Sequence, residues 1–230
     1  VNSYSAGASG VLLPYVMGPM EQMSRRTIGW EAVANHSEVI LAFGGMALKN
    51  SMVGAGGISQ HIEREAMRRA AARGARFVLI GPLAADLPDE AQAEWLSIVP
   101  NTDTALMLGI AHTLVTDGTH DRAFLKSHCA GWEKFEPYLM GSSDGQPKDA
   151  AWAGAICGVK AEHIVALARS LVGRRVLVTV AHSLQRAEHG EQPVWMGAVL
   201  AAMLGQIGLP GGGYGYALGA LGHTGRHQNL

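Results

Sequence analysis

Three short stretches of the sequence carry groups that a phosphate ligand needs: Lys49-Asn50-Ser51, Gly81-Pro82, and Ser183 with Gln185 and Arg186. A pyrophosphate is held by backbone amides, hydroxyls and a cation, and each stretch offers some of these. Neither Gly54-Ala55-Gly56-Gly57 nor the run Gly211-Gly212-Gly213 satisfies GxGxxG, which demotes a nicotinamide dehydrogenase. The two cysteines, Cys129 and Cys157, lack CxxC spacing and read as small apolar groups rather than zinc or iron–sulfur ligands. Plainer roles compete for several residues. Taken alone, Ser5 before a run of small residues is a helix N-cap, and Lys49 and Arg186 are solvated cations. His36, His61, His112, His128 and His163 read as structural, and Met17, Met20 and Met23 as core packing.

The phosphate-type stretches each leave an apolar run, so strands must position them. Ser37 to Phe43 reads as a buried strand ending in Gly44-Gly45; Arg76 to Ile80 is a second, and Arg175 to Val180 a third. Helices are expected from Gly7 to Arg26, from Gln60 to Arg73 with Gly74 as C-cap, and after Thr102 and Asp103, which read as caps. Further helical stretches cover Asp121 to Cys129, Glu133 to Leu139, Ala161 to Leu171 and Gln192 to Leu204. The alternation predicts an α/β fold: a mostly parallel sheet flanked by helices, Rossmann-like, as one domain over residues 1–230. In such a sheet, ligands sit outside the carboxyl ends of the strands, where these exits would lie together. From the residues alone, the reading stops at a nucleotide-binding α/β module.

Composition narrows the class. Of 230 residues 16% are charged and 30 are glycine, against usual values of about 25% charged and about 7% glycine, so much of the surface is expected to face protein or ligand. The net charge of −1 gives no electrostatic footprint for nucleic acid. No apolar run approaches the ~20 residues of a membrane span. Opening at Val1-Asn2-Ser3-Tyr4 without an initiator methionine, the chain reads as an interior piece of a larger multidomain protein.

Four stretches, in order, resemble the molybdopterin enzymes of the dimethyl sulfoxide reductase family, in the biotin sulfoxide and trimethylamine N-oxide reductase branch. They are Asn2 to Ala8 (NSYSAGA), Pro100 to Leu108 (PNTDTALML), Ser183 to Gln192 (SLQRAEHGEQ) and Met203 to Gly213 (MLGQIGLPGGG). The resemblance implies a segment of a catalytic subunit that carries molybdenum bis(molybdopterin guanine dinucleotide). It assigns metal ligation and catalysis to Ser5, in a Tyr-Ser element whose alkoxide is a hard donor suited to high-valent molybdenum. It also implies a dinucleotide lining made of Phe43, Gly45, Lys49, Asn50, Ser51, Ile80, Gly81, Pro82, Thr102, Asp103, His182, Ser183, Gln185 and Arg186. Asp103 would accept from sugar or guanine donors, and Arg186 would offer a planar fork to pterin or phosphate oxygens. The chain departs from the pattern at Gly81, where the family often has an acidic or hydroxyl residue, at His182, commonly tryptophan, and at Ala84, frequently arginine.

The implied activity is reduction of small S-oxides or N-oxides by oxygen-atom transfer, in a protein formed with the remainder of the parent chain. The electron donor, protein or reduced nicotinamide, is left open, as is the compartment, bacterial periplasm or cytoplasm. The alternative is that the isolated piece acts only as a non-catalytic nucleotide- or cofactor-binding module. A third reading is an unrelated nucleotide-binding α/β domain.

Overall fold

The computed structural model describes residues 7–19, 28–51 and 61–218, for Asn50 and Ser51 the backbone alone. Five strands form one sheet: β1 (Val39–Phe43), β2 (Arg76–Ile80), β3 (Glu94–Leu96), β4 (Val176–Val180) and β5 (Gly213–Tyr216). Their order is β3-β2-β1-β4-β5, and all four pairings are parallel. β1 is central, with Val39 opposite both Arg76 and Val176 and Phe43 opposite both Ile80 and Val180. Every residue of β1 and β4 is buried, as expected of parallel strands covered on both faces.

Alternation along the strands makes two cores. Leu41, Phe43, Val78, Ile80, Val176 and Val178 face one side. There they meet α5 (Asp103–Thr116), α8 (Ala150–Cys157), α9 (Ala161–Ser170) and α10 (Glu191–Met203). Ile40, Ala42, Phe77, Leu79 and Leu177 face the other, against α2 (Trp30–His36) and α4 (Glu63–Ala72). The short α3 (Leu48–Ser51) leads from β1 towards α4, whereas α6 (Arg122–His128) and α7 (Trp132–Leu139) lie between α5 and α8 in the chain. The β1–β2 crossover therefore uses one face and the β3–β4 and β4–β5 crossovers the other. The strand order reverses between β1 and β4, the position at which a doubly wound sheet opens its ligand crevice.

The forecast strands lie within two residues of the observed ones, and Gly74 follows α4 as a C-cap, with Ala75 N–H bonded to Ala70 C=O at 2.9 Å. The first helix, α1 (Gly7–Val16), ends before the forecast Arg26; residues 20–27 lie outside the described set, as does Ser5. Five elements were not foreseen: α2, α3, α8, β3 and β5. In β5, Gly-Tyr-Gly-Tyr has half its positions without side chains, so neither alternation nor β-propensity marks it. The glycines before it serve passage. Gly211 has φ +75°, and a Cβ there would lie 2.6 Å from both His36 Cβ and Ser37 N, while Ser37 Oγ donates to Gly211 C=O. Among the described residues no single helix is long and apolar enough to cross a membrane.

Candidate functional site

The sheet ladder runs one step past each central strand. Gly44 N–H donates to Ile80 C=O, Ala181 N–H to Phe43 C=O and Ala217 N–H to Val180 C=O, each at 2.8 Å. The exits therefore leave from one level at the carboxyl edge. They also touch. Gly44 has φ +75°, and a Cβ there would come within 2.8 Å of Ala181 Cβ and 3.1 Å of Leu184 Cγ. Met46 N–H donates to Asp86 C=O at 2.7 Å, joining the β1 exit to the turn after β2. Two glycines in succession after β1 let three loops pack where side chains would hold them apart.

The forecast residues divide by where their atoms point. Phe43 and Ile80 are fully buried in the core, so only their backbone can serve a ligand. Gly45 and Gly81 are buried, Pro82 and Lys49 exposed, and Gly81 C=O accepts from Trp95 Nε1–H at 2.8 Å. The backbone of Asn50 and Ser51 belongs to α3. After β4, Ser183 and Arg186 are exposed, whereas His182 and Gln185 turn inward.

Thr102 and Asp103 do not cap α5 as expected. The Thr102 hydroxyl donates instead to Val99 C=O at 2.6 Å, and its side chain makes no capping bond to α5. Thr102 stays at the N-cap position with φ −107° and ψ 12°, and Asp103 becomes the first helical residue, 3% exposed. Its Oδ1 is buried and meets no hydrogen-bond partner among the described residues. Desolvation raises its carboxyl to about 6.

Asp103 lines an open cavity of about 480 Å³, together with Asn101, Thr102, Leu184, Glu188 and His189. This cavity lies between the amino end of α5 and the loop after β4, so Leu184 belongs both to it and to the packed exits. Of the forecast lining it takes in Thr102 and Asp103 alone; Lys49, Gly81, Pro82, Ser183 and Arg186 stand outside it. Asn101, Glu188 and His189 were missed as candidates, although Asn101 and the Glu188-His189 pair stood inside stretches singled out from sequence. An adjoining apolar cavity of about 360 Å³, walled by Trp132, Phe135 and Met196, shares Thr104, Leu108, Tyr138 and Gln192 with it.

Inward of the β4 exit is a buried polar cluster. Gln185 Oε1 accepts from Ala8 N–H at 3.0 Å and Ser9 N–H at 3.3 Å. The Tyr216 hydroxyl donates to Ser9 Oγ at 2.8 Å and lies 2.8 Å from His182 Nδ1. A phenol carries one proton, so when it goes to Ser9 the imidazole is the donor at the second contact. Burial pushes the Tyr216 hydroxyl up to about 12, against the opposing effects of the Ser9 bond and the Arg186 charge.

A parallel sheet of order β3-β2-β1-β4-β5 with helices on both faces defines a doubly wound α/β protein. Residues 7–227 match the molybdopterin oxidoreductase family, and the chain belongs to it. This is a family of molybdenum–molybdopterin enzymes. Among its relatives, the biotin sulfoxide reductase of Cereibacter sphaeroides is 46% identical over 98% of this chain and 30% of its own length. The trimethylamine-N-oxide reductase of Haemophilus influenzae is 42% identical over 92% of this chain and 26% of its own. The dimethyl sulfoxide/trimethylamine N-oxide reductase of Rhodobacter capsulatus is 40% identical over the same shares, 92% and 26%. The chain thus spans between a quarter and a third of the relatives it matches. In fold it is similar to acetylene hydratase from Pelobacter acetylenicus, with a TM-score of 0.62, 18% identity, and 81% of this chain and 24% of that one covered.

Proposed function

We propose that this chain is the dinucleotide-binding part of a larger molybdenum enzyme that reduces S-oxides or N-oxides by oxygen-atom transfer. The names of its relatives supply the substrate class. The observation that carries the binding role is the unpartnered, buried Oδ1 of Asp103 in an open cavity beside the packed exits. At neutral pH the carboxylate is charged, and its Oδ1 meets no donor among the described residues, an arrangement that costs free energy until a ligand supplies one.

The residues fit a molybdopterin guanine dinucleotide. Asp103 would accept from guanine or ribose donors; Lys49 and Arg186 would face the diphosphate, with hydroxyls from Ser51, Thr102 and Ser183. Asn50 and the backbone of Phe43, Gly45, Ile80, Gly81 and Pro82 would complete the lining. Ser5, outside the described residues, would be the protein ligand to molybdenum. When bound, the cofactor supplies the two-electron oxygen-transfer chemistry, and this chain orients it and shields it from water.

Metal analysis of the full-length parent tests this proposal. Molybdenum or tungsten is expected in active preparations, and activity without either metal ends it. For the 230-residue chain by itself, the coverage of 26–30% favours a second reading, a non-catalytic binding module. Calorimetry with GDP separates the two. The module reading expects binding without turnover, and reductase turnover by the chain alone refutes it.

A further inference from the structure

A lysine is almost never fully buried unless its ammonium is paired. Lys148, between α7 and α8, is 3% exposed. Its Nζ carries three protons and has three oxygen acceptors: Asp144 Oδ2 at 2.6 Å, Gln146 C=O at 2.5 Å and Tyr138 C=O at 3.3 Å. The Lys148 N–H donates to Leu139 C=O at 2.9 Å, which returns the loop to the end of α7. Two rings share the same ammonium. The Tyr138 centroid lies 4.2 Å from Nζ and the Trp152 centroid 5.9 Å, both inside the reach of a cation–π contact. Tyr138 stands on α7. Trp152 stands in the first turn of α8, where its N–H donates to Asp149 Oδ1 at 2.8 Å.

Closing the loop needs only the oxygens; the rings have a second role open to them. Tyr138 and Trp152 are the tyrosine and the tryptophan in the lining of the cavity that holds Asp103, and Tyr138 is 40% exposed. Their helices reach that cavity because α8 packs closely on α5: a Cβ at Gly109 would lie 2.6 Å from Ala153 Cβ, next to Trp152. We propose that Tyr138 and Trp152 form a stacking platform for a purine base in the Asp103 cavity, and that Lys148 is the positioning residue that holds both rings. The inference rests on the dinucleotide reading of this cavity and adds the part that takes the face of the base. Asp103 accepts from N–H donors at the edge of the base, whereas the rings take its π-face, which every purine presents. Lys148 acts through the rings: one group fixes an aromatic side chain on each of two helices and leaves no proton of its ammonium without an acceptor.

The test is calorimetry on the full-length parent freed of cofactor, with GDP, ADP and inorganic pyrophosphate as probes. Trp152→Leu and Tyr138→Leu are each expected to weaken GDP and ADP alike, by roughly 5- to 100-fold, and to leave pyrophosphate unchanged. Lys148→Met should show the same split between nucleotides and pyrophosphate, to a smaller extent. A merely structural lysine would not produce that split. GDP affinity untouched by the ring variants overturns the platform, as does a loss that falls equally on pyrophosphate. GDP affinity untouched by Lys148→Met overturns the positioning role. If Lys148→Met does not fold, Asp144→Ala, which removes the carboxylate partner of the ammonium from an exposed position, decides by the same readouts. Wild-type protein that binds GDP no more tightly than pyrophosphate overturns the platform alone. Wild-type protein that binds neither overturns the dinucleotide reading, and the platform with it.

Discussion

Replacing Asp103 by asparagine should make the protein more stable and a poorer binder, and the two effects should separate with pH. Burial lifts the Asp103 carboxyl from an ordinary 3.8 to about 6. A folded-state pKa above the unfolded value means that the group's contribution to stability is fully present below about pH 3.8 and is lost as pH rises through about 6. A shift of about 2 units corresponds to about 3 kcal/mol, the penalty that the native state carries at pH 7.5 and sheds at pH 4. Asparagine removes the charge but leaves a buried amide with polar atoms of its own. The gain at pH 7.5 is therefore at most ~3 kcal/mol, or roughly 6–12 °C in Tm for a chain of this size. At pH 4 the two proteins should melt together. A guanine ligand reverses the preference, because its N–H donors satisfy an ionised carboxylate, and losing a hydrogen bond to a charged acceptor weakens binding by ~10- to 100-fold. Thermal unfolding at pH 4 and 7.5 and GDP calorimetry at pH 7.5 measure both. A Tm difference that is the same at both pH values, or GDP affinity unchanged by Asp103→Asn, would refute the assignment of a buried carboxylate waiting for a donor.

Gly44→Ala places a Cβ 2.8 Å from Ala181 Cβ at φ +75°, and equilibrium urea unfolding should show a loss of about 1–3 kcal/mol, with the exits spread apart. Arg186→Ala should lower GDP affinity roughly tenfold in calorimetry, and Arg186→Lys should recover only part of it, since an ammonium lacks the planar fork. Desolvation raises both thiols above the ordinary range, so iodoacetamide at pH 7.5 should label Cys129 and Cys157 more slowly than an exposed peptide thiol, the fully buried Cys157 slowest.

The fold was legible wherever burial writes itself in apolar runs. Val39–Phe43, Arg76–Ile80 and Val176–Val180 are surrounded by other strands and by helices, so nearly every position must be apolar and the run announces the strand. β3 and β5 did not announce themselves for opposite reasons. Glu94-Trp95-Leu96 is a short edge with two exposed side chains, and Gly213–Tyr216 is buried but half glycine. At the site, the convergence of the β1, β2 and β4 exits followed from topology and could be foreseen. The caps could not: a Thr-Asp pair before an apolar helix scores the same whether its oxygens bond forward into the helix or, as with Thr102, back to Val99. Asp103 reads as a cap from spacing and as a ligand contact from the resemblance; the structure leaves its Oδ1 buried without a partner among the described residues.

The stretch from His182 to Arg186 explains why a motif can point to a site without saying what its residues do there. Its side chains divide between the two sides of the chain: His182 and Gln185 are buried, Ser183 and Arg186 exposed. In the proposed binding role the outward pair would offer a hydroxyl and a guanidinium to a ligand at the sheet edge. The inward pair is bonded to α1 and, through Tyr216, to β5. A ligand recognised by the outward pair is therefore referred to the same backbone that holds the inward pair. Displacing either set moves the other, because five consecutive residues cannot shift independently across a level exit already fixed by the Ala181–Phe43 bond at 2.8 Å. Substitutions on the two sides should accordingly be non-additive. The double variant Gln185→Met/Arg186→Ala should weaken GDP binding by less than the product of the single effects, because an exit already loosened no longer holds Arg186 in place. Strict multiplicativity would mean that the loop does its two jobs separately.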